Sequence, residues 1–146
     1  MTCTFNIAKG KIANYTALAQ AGGGPVIKAI PLEATGLEAE STLKDYANVS
    51  VLLAGTTNEQ VANMTRKVLA SVTVTVDNVG DVANLDSADI TWTAATGNAV
   101  GAILLAYDPT GSSADTALIP LTKHDWALTP DGSDATATVS NFCVCS

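Results

Sequence analysis

The sequence predicts a β-rich α+β domain, in which an antiparallel or mixed sheet, or a sandwich, packs against one clear helix. Short stretches rich in Thr, Val, Ile and Trp recur between residues 89 and 139. Clusters of Gly, Asn, Pro, Asp and Ser separate them and are typical of turns. The chain has 146 residues and shows no repeat or linker, so we expect a single domain over residues 1–146 with a substantial core.

The first quarter of the chain contains one uncertain element and one strand. Residues 1–7 are expected to form a flexible arm, and residues 12–19 fit either a helical period or a strand. The run from Ala21 to Pro25 contains three glycines and should form a flexible turn. Residues 25–32 then read as a strand that ends at Pro31 or lies at a sheet edge there, because proline removes one backbone donor.

The clearest predicted helix covers about residues 41–54. Ser41 is a natural N-cap, an apolar stripe follows at helical spacing, and Gly55 fits the position after the last turn. Thr56 and Glu59 have capping-box spacing, so a second short helix could reach about Met64.

The remaining elements are predicted strands. Residues 71–76 alternate Val with Thr, as in a strand with one solvated face, and the polar loop after them leaves room for another short strand. Residues 101–107 form a nearly continuous apolar run, which predicts a central strand buried on both faces. Further strands are expected at residues 90–93, 117–121, 123–128 and 135–139, with a strong turn at residues 130–133.

Charge composition argues against several classes of partner. The net charge is −7, from 14 acidic and 7 basic residues, and Arg66 is the single arginine. Nucleic-acid binding needs several cations on one face, and an anionic membrane surface would also repel this chain. We therefore expect neither partner.

The three cysteines do not form a recognisable site. An odd number of cysteines argues against a disulfide framework, and this chain has three: Cys3, Cys143 and Cys145. The C-x-C pair lacks the second pair that a zinc site needs. Free thiols are the favoured interpretation, with a bridge from Cys3 as the alternative if the termini meet. No metal or cofactor is expected.

Catalytic readings of the polar residues are weaker than structural ones. His124 is the single histidine and precedes Asp125, but no nucleophile-elbow motif accompanies them, so a hydrogen-bonding role is favoured.

The Asp-rich loops at residues 108–115 and 131–134 could bind calcium, although turn chemistry explains both. Three acids before the helix could form a carboxylate pair, but a helix-dipole role is simpler; they are Glu33, Glu38 and Glu40. The large aromatic residues read as core rather than as interface anchors; they are Tyr46, Trp92, Tyr107 and Trp126. The chain is therefore not expected to be an enzyme.

Several blocks of sequence are similar to a family of small tailed-bacteriophage virion structural proteins. The blocks are PLEATGLEAESTLKD (residues 31–45), VLLAG (51–55), RKVL (66–69), DITWTAA (89–95), LLAYD (104–108), IPLTKHDW (119–126) and TPDGSD (129–134). The resemblance covers roughly residues 8–140. It implies a decoration or minor protein of the head, or capsid, of actinobacterial and related phages.

The resemblance implies a protein made in the bacterial cytoplasm that binds the outer surface of the capsid and stabilises the shell or displays a surface. Its expected partner is the major capsid protein, with self-association on the shell, as a trimer or another oligomer. Two alternatives stay open: a tail or head-fibre component, and a small hydrolase or carbohydrate-binding module that uses His124, Asp125 and the loop at 131–134.

The candidate contacts with the shell come from expected flexibility and from departures from the family pattern. The chain departs from that pattern at residues 21–25 and 141–146. The candidate contact residues lie in the N-terminal arm and the glycine turn; they are Thr2, Thr4, Phe5, Asn6, Ile7, Lys9, Gly22, Gly23 and Gly24.

Overall fold

A computed structural model describes residues 2–146 of the chain. Its three helices are α1 (Ile12–Ala21), α2 (Glu40–Leu43) and α3 (Val49–Leu53). Its ten strands are β1 (Thr2–Thr4), β2 (Val26–Glu33), β3 (Lys67–Val68), β4 (Thr73–Asp77), β5 (Val82–Asp86), β6 (Ile90–Trp92), β7 (Val100–Asp108), β8 (Ile119–Leu128), β9 (Ala135–Ala137) and β10 (Cys143–Cys145). The predicted β-rich α+β class is confirmed.

The strands form three antiparallel sheets. The main sheet has five strands in the order β1-β8-β7-β2-β3, a second has the order β10-β5-β4, and β6 pairs with β9. β8 runs without a break through the two segments that the sequence divided into separate strands, because residues 119–128 pair with β7 and β1 on either side.

The main sheet is buried on both faces. β7 directs Ile103, Leu105 and Tyr107 into a core that includes α1 and the two smaller sheets, and directs Leu104 and Ala106 into a second core with α2 and α3. The prediction of a central, doubly buried strand at 101–107 is confirmed. Its cause is the unbroken apolar run, since either face of such a strand needs cover.

Pro31 lies inside β2 and disturbs no pairing with β7. Three backbone groups of β2 face its outer side. Ile27 O accepts from Leu69 N, Pro31 O accepts from Gln60 N, and Glu33 N donates to Asn58 O. Pro31 accepts from Gln60 N at 2.9 Å with its carbonyl, and its missing N–H falls on that same outer side. The prediction that the strand ends at Pro31 or lies at a sheet edge there is wrong: β2 continues to Glu33, and β3 and residues 58–60 lie along its outer side.

The predicted helix over residues 41–54 is corrected to two short helices. Asn48 is extended, with φ −154° and ψ 166°, and its side chain accepts a hydrogen bond from Val51 N at 2.9 Å, so it caps a new helix. The first N–H groups of α3 bind Leu118 O and Asp115 O. A cap residue inside the apolar stripe, reinforced by these tertiary bonds, divides the helix. The longest helix is instead α1, in the segment whose sequence left helix and strand open.

Two further expectations are wrong. The second short helix toward Met64 does not form, because residues 58–60 run along the β2 edge and bond to it. The N-terminal arm is not a free arm over its described part: β1 pairs with residues 122–124 of β8, and Phe5 is fully buried against α2 and α3. Met1 lies outside the described residues. A buried aromatic ring anchors this segment to the sheet.

Candidate functional site

The candidate contact residues at the N-terminus meet the C-terminal strand. Thr4, Lys9 and Ile12 share a shallow depression of about 470 Å³ with residues 143–146, and we name it the terminal depression. Lys9 Nζ donates to Asn6 Oδ1 at 2.7 Å, and Asn6 Nδ2 donates to Asp45 Oδ1 at 2.5 Å. These bonds fix the surface of the segment.

Not all of the predicted contact residues are available to a partner. Phe5 is fully buried, so its proposed contact with a shell is corrected: the ring belongs to the core. Ile7 is 44% exposed, and in the described part of this segment it is the one large apolar side chain at the surface.

The glycine turn lies away from the terminal depression. Gly22 follows the last turn of α1, a ten-residue helix about 15 Å long, whose first turn borders the depression. Gly22 and Gly23 have positive φ angles and open space around them, while the carbonyl oxygen of Gly24 faces Gly111 in the 108–113 loop. The two predicted contact regions are therefore at opposite ends of α1.

An apolar groove of about 270 Å³ lies between the main sheet and the segment that leads to β10. Its apolar lining comes from five separate parts of the chain and includes Leu69, Ile90, Leu105, Trp126 and Phe142. The Trp126 ring packs at 5.5 Å from that of Trp92, whose Nε1 donates to Thr65 O at 2.8 Å. No local sequence signal marks this groove, because only the folding of distant segments creates it.

His124 borders the groove as part of a structural network. Its Nε2 lies 2.9 Å from the Oγ1 of buried Thr122. Burial lowers the pKa of His124, and the nearby Lys123 charge lowers it further, so both favour the neutral imidazole. Asp125 is ion-paired with Lys123 on the other face of β8. A His–Asp pair of the hydrolase type is therefore not assembled from these neighbours.

Among the residues that the structure describes, three cationic side chains are held in ion pairs. Lys123 is 5% exposed and contacts Glu40 at 3.2 Å as well as Asp125. Lys28 Nζ lies 2.6 Å from Asp108. The third cation is Arg66.

The Arg66 guanidinium binds two carboxylates. Its Nε and Nη2 donate to Glu59 at 2.7 and 2.6 Å, and its Nη1 and Nη2 donate to Asp115 at 2.5 and 3.0 Å. These bonds raise the pKa of Arg66, with Glu59 the larger influence, and the bond from Arg66 lowers that of Asp115. These paired bonds brace the connection between α3 and β3, which holds both Glu59 and Arg66, and tie it to the loop between β7 and β8 that carries Asp115.

Asp108 is the most tightly held acid. Its side chain is fully buried, and its Oδ1 accepts hydrogen bonds from the backbone N–H groups of Thr110 and Gly111, both at 3.0 Å. Burial favours the neutral acid, but the bonds from Lys28, Ser113 and Thr110 outweigh it and hold the pKa of Asp108 well below its usual range. The sequence carried a signal that was missed: apart from Glu33 at the end of β2, Lys28 and Asp108 are the charged residues of two adjacent and otherwise apolar strands.

The other acidic candidates are dispersed. Glu33 accepts from Asn98, Glu38 accepts from Tyr46 and Thr57, and Glu40 binds Lys123, so the three do not form a carboxylate pair. Asp131 accepts from the N–H and hydroxyl of Ser133, which fits the turn interpretation of the 131–134 loop. Within residues 2–146, no group of three or more His, Cys, Asp or Glu side chains is placed to hold a metal ion.

The cysteines lie in two different environments. Cys3 pairs across the sheet with Lys123, and burial and the Glu40 charge raise the pKa of its thiol. Cys143 and Cys145 lie side by side on β10, with their Sγ atoms 3.9 Å apart. All three are free thiols, as the sequence favoured.

Comparisons with known proteins identify no relative: no family model, curated protein or solved structure matches this chain. Among the described residues, no helix is both long and apolar enough to cross a membrane.

Proposed function

We propose that this chain is a phage virion structural protein that binds the outer surface of the capsid as a decoration or minor capsid protein. The observation that carries the proposal is the location of the sequence blocks that resemble such proteins. They supply the core and its anchors: Leu43, Leu52, Trp92, the inner part of β7, and Arg66. Because the resembling blocks build the core, the resemblance concerns the scaffold of the fold. The scaffold is the part that a surface-binding protein shares with its relatives.

The distribution of charge supports an outward-facing role. Lys28, Arg66 and Lys123, three of the seven basic residues, are engaged with acids of the same chain. Few basic residues therefore remain to bind the packaged genome, and the net charge of −7 would also repel it. The major capsid protein is the partner that we propose, at a location outside the shell.

The terminal depression and the exposed Ile7 form the best candidate contact. This surface belongs to a segment that is anchored by Phe5 and by the bonds of Asn6, so it is held in one shape before binding. A preformed surface loses less conformational entropy on association. Residues 143–146, where the chain departs from the family pattern, border the same depression, so the contact can differ between relatives.

The test uses particles of the phage that encodes the chain. Purified chain is mixed with heads that lack it, and the mixture is sedimented and imaged by cryo-EM. We expect saturable binding to heads, weakened at least tenfold by Ile7→Asp and unchanged by Val79→Asp. Val79 is a matched control, because it is 97% exposed at the turn between β4 and β5. Deleting residues 1–7 would be a poor test, since it removes Phe5 from the core.

Three outcomes would contradict the proposal. Density or antibody label on tails alone would support the tail alternative. Chain that stays in the supernatant with intact heads would remove the capsid function. Turnover of a glycan or ester substrate that His124→Ala abolishes would support the hydrolase alternative.

A further inference from the structure

The thiols of β10 have the spacing of ligands on one metal ion. Cys143 and Cys145 are two residues apart on a strand, so they share a face, and their Sγ atoms are 3.9 Å apart. Two sulfurs bound tetrahedrally to one zinc ion at about 2.3 Å lie about 3.8 Å from each other. The chain therefore presents two zinc ligands in nearly the required arrangement.

These thiols are partly accessible, since both pack on one side against the core that includes α1 and the two smaller sheets. Both are half-buried and border the terminal depression, which is open to solvent.

Two thiols do not complete a structural zinc site, which is almost always four-coordinate. Within residues 2–146, no third His, Cys, Asp or Glu is placed beside them. The missing ligands must come from another molecule, and the position of β10 indicates which one. Among the described strands β10 pairs with β5 alone, so it lies at the edge of its sheet.

A second copy of the chain can supply the ligands. Cys143 and Cys145 flank Val144 symmetrically, so a two-fold axis beside Val144 would pair β10 with its own copy in antiparallel register. That register sets Cys143 opposite Cys145 of the other copy, at a cross-strand Cβ separation of about 5 Å. It also brings together the two Val144 side chains, each 54% exposed in one copy. We propose that a zinc ion bound by Cys143 and Cys145 of two copies links this protein into a dimer through β10.

The charge of the surroundings suits such a site. A zinc ion with four thiolates carries a net charge of −2, and Lys9 borders the same depression, so two copies contribute two ammonium groups. Lys9 is held there by its bond to Asn6. The link does not depend on capsid binding and can be tested on the purified chain alone.

The experiment titrates the reduced full-length chain with Zn²⁺, and with Co²⁺ as a spectroscopic probe, while sedimentation reports the mass. We expect one ion per two chains, the visible spectrum of tetrahedral Co²⁺ with thiolate charge-transfer bands, and a dimer that a chelator dissociates. Cys143→Ser and Cys145→Ser should each abolish the dimer, and Lys9→Glu should weaken it at least tenfold. Cys3→Ser is the matched control and should change nothing, because its thiol lies beside Lys123 and Glu40.

Because binding displaces thiol protons, the affinity for zinc should fall steeply between pH 8 and pH 6. One ion per chain on a monomer would overturn the shared site. So would metal binding that survives Cys145→Ser, or a dimer that persists in chelator. Circular dichroism of each serine variant would show that the fold is intact.

Discussion

Substituting Asp108 tests how the loops are fixed to the sheet. Asp108→Asn keeps an oxygen acceptor for the N–H groups of Thr110 and Gly111 but removes the charge that faces Lys28 at 2.6 Å. The Lys28 side chain is 15% exposed, so its ammonium would be left largely buried without an anionic partner. Breaking a buried pair in this way costs about 3 kcal/mol of unfolding free energy.

Asp108→Ala should cost more, because it also removes the backbone hydrogen bonds. The three N–H groups of Thr110, Gly111 and Ser113 would lose their acceptor. Each lost bond should cost about 0.5 kcal/mol, since the loop is partly open to water. Added to the cost of breaking the ion pair, this gives a total loss of unfolding free energy of about 4–5 kcal/mol. For a chain of this size, 1 kcal/mol shifts Tm by about 3 °C, so we expect losses of about 9 °C for Asn and about 13 °C for Ala.

Urea and thermal unfolding followed by circular dichroism measure both variants. Lys28→Met combined with Asp108→Asn should cost less than the sum of the single changes, because each single change leaves one charge of the pair without a partner and the double change leaves none. The folded pKa of Asp108 lies below its unfolded value of about 3.8. Its contribution is therefore full above pH 5 and is lost as the pH falls through the folded pKa. An Asn variant within 1 kcal/mol of the wild type at pH 7, or equal losses for Asn and Ala, would refute this reasoning.

Three other predictions concern separate parts of the fold. Arg66→Ala should lower the unfolding free energy by about 2–3 kcal/mol, since it leaves two carboxylates unpaired. The control Lys11→Ala, at an exposed lysine, should change it by no more than about 0.5 kcal/mol. Equal effects of the two variants in urea titrations would show that the Arg66 bonds are not stabilising. Gly36→Ala should lower the unfolding free energy by more than about 3 kcal/mol, because its φ is +81° and a Cβ would lie 2.3 Å from a backbone oxygen. Gly132→Ala, with φ +92° and open space around it, should lower it by about 1 kcal/mol. Similar Tm values for the two variants would contradict the packing argument. The pKa of His124 is lowered in the folded state, so the unfolded chain binds more protons and stability falls as the pH drops below about 6.5; His124→Gln should flatten the stability profile between pH 7 and 5, and an unchanged slope would place the imidazole in water.

The sequence predicted the features that depend on local pattern. The apolar run at residues 101–107 required cover on both sides and became the central strand β7. The turn chemistry of residues 130–133 holds, since Asp131 binds Ser133 within the turn. Among candidate site residues, the structural role of His124 was predicted from the absence of companion motifs, and its bond to Thr122 agrees with that role.

What the sequence by itself determined is therefore the β-rich class, the central strand and the main turns, because each is encoded within a few neighbouring residues. Only the tertiary structure decided the features whose partners lie far along the chain. Residues 2–4 look like a loose arm until residues 122–124 pair with them. Asn48 divides the predicted helix because Leu118 and Asp115 bind the next backbone N–H groups. The terminal depression arises in the same way, since strand pairing and burial bring together the two ends of the described chain.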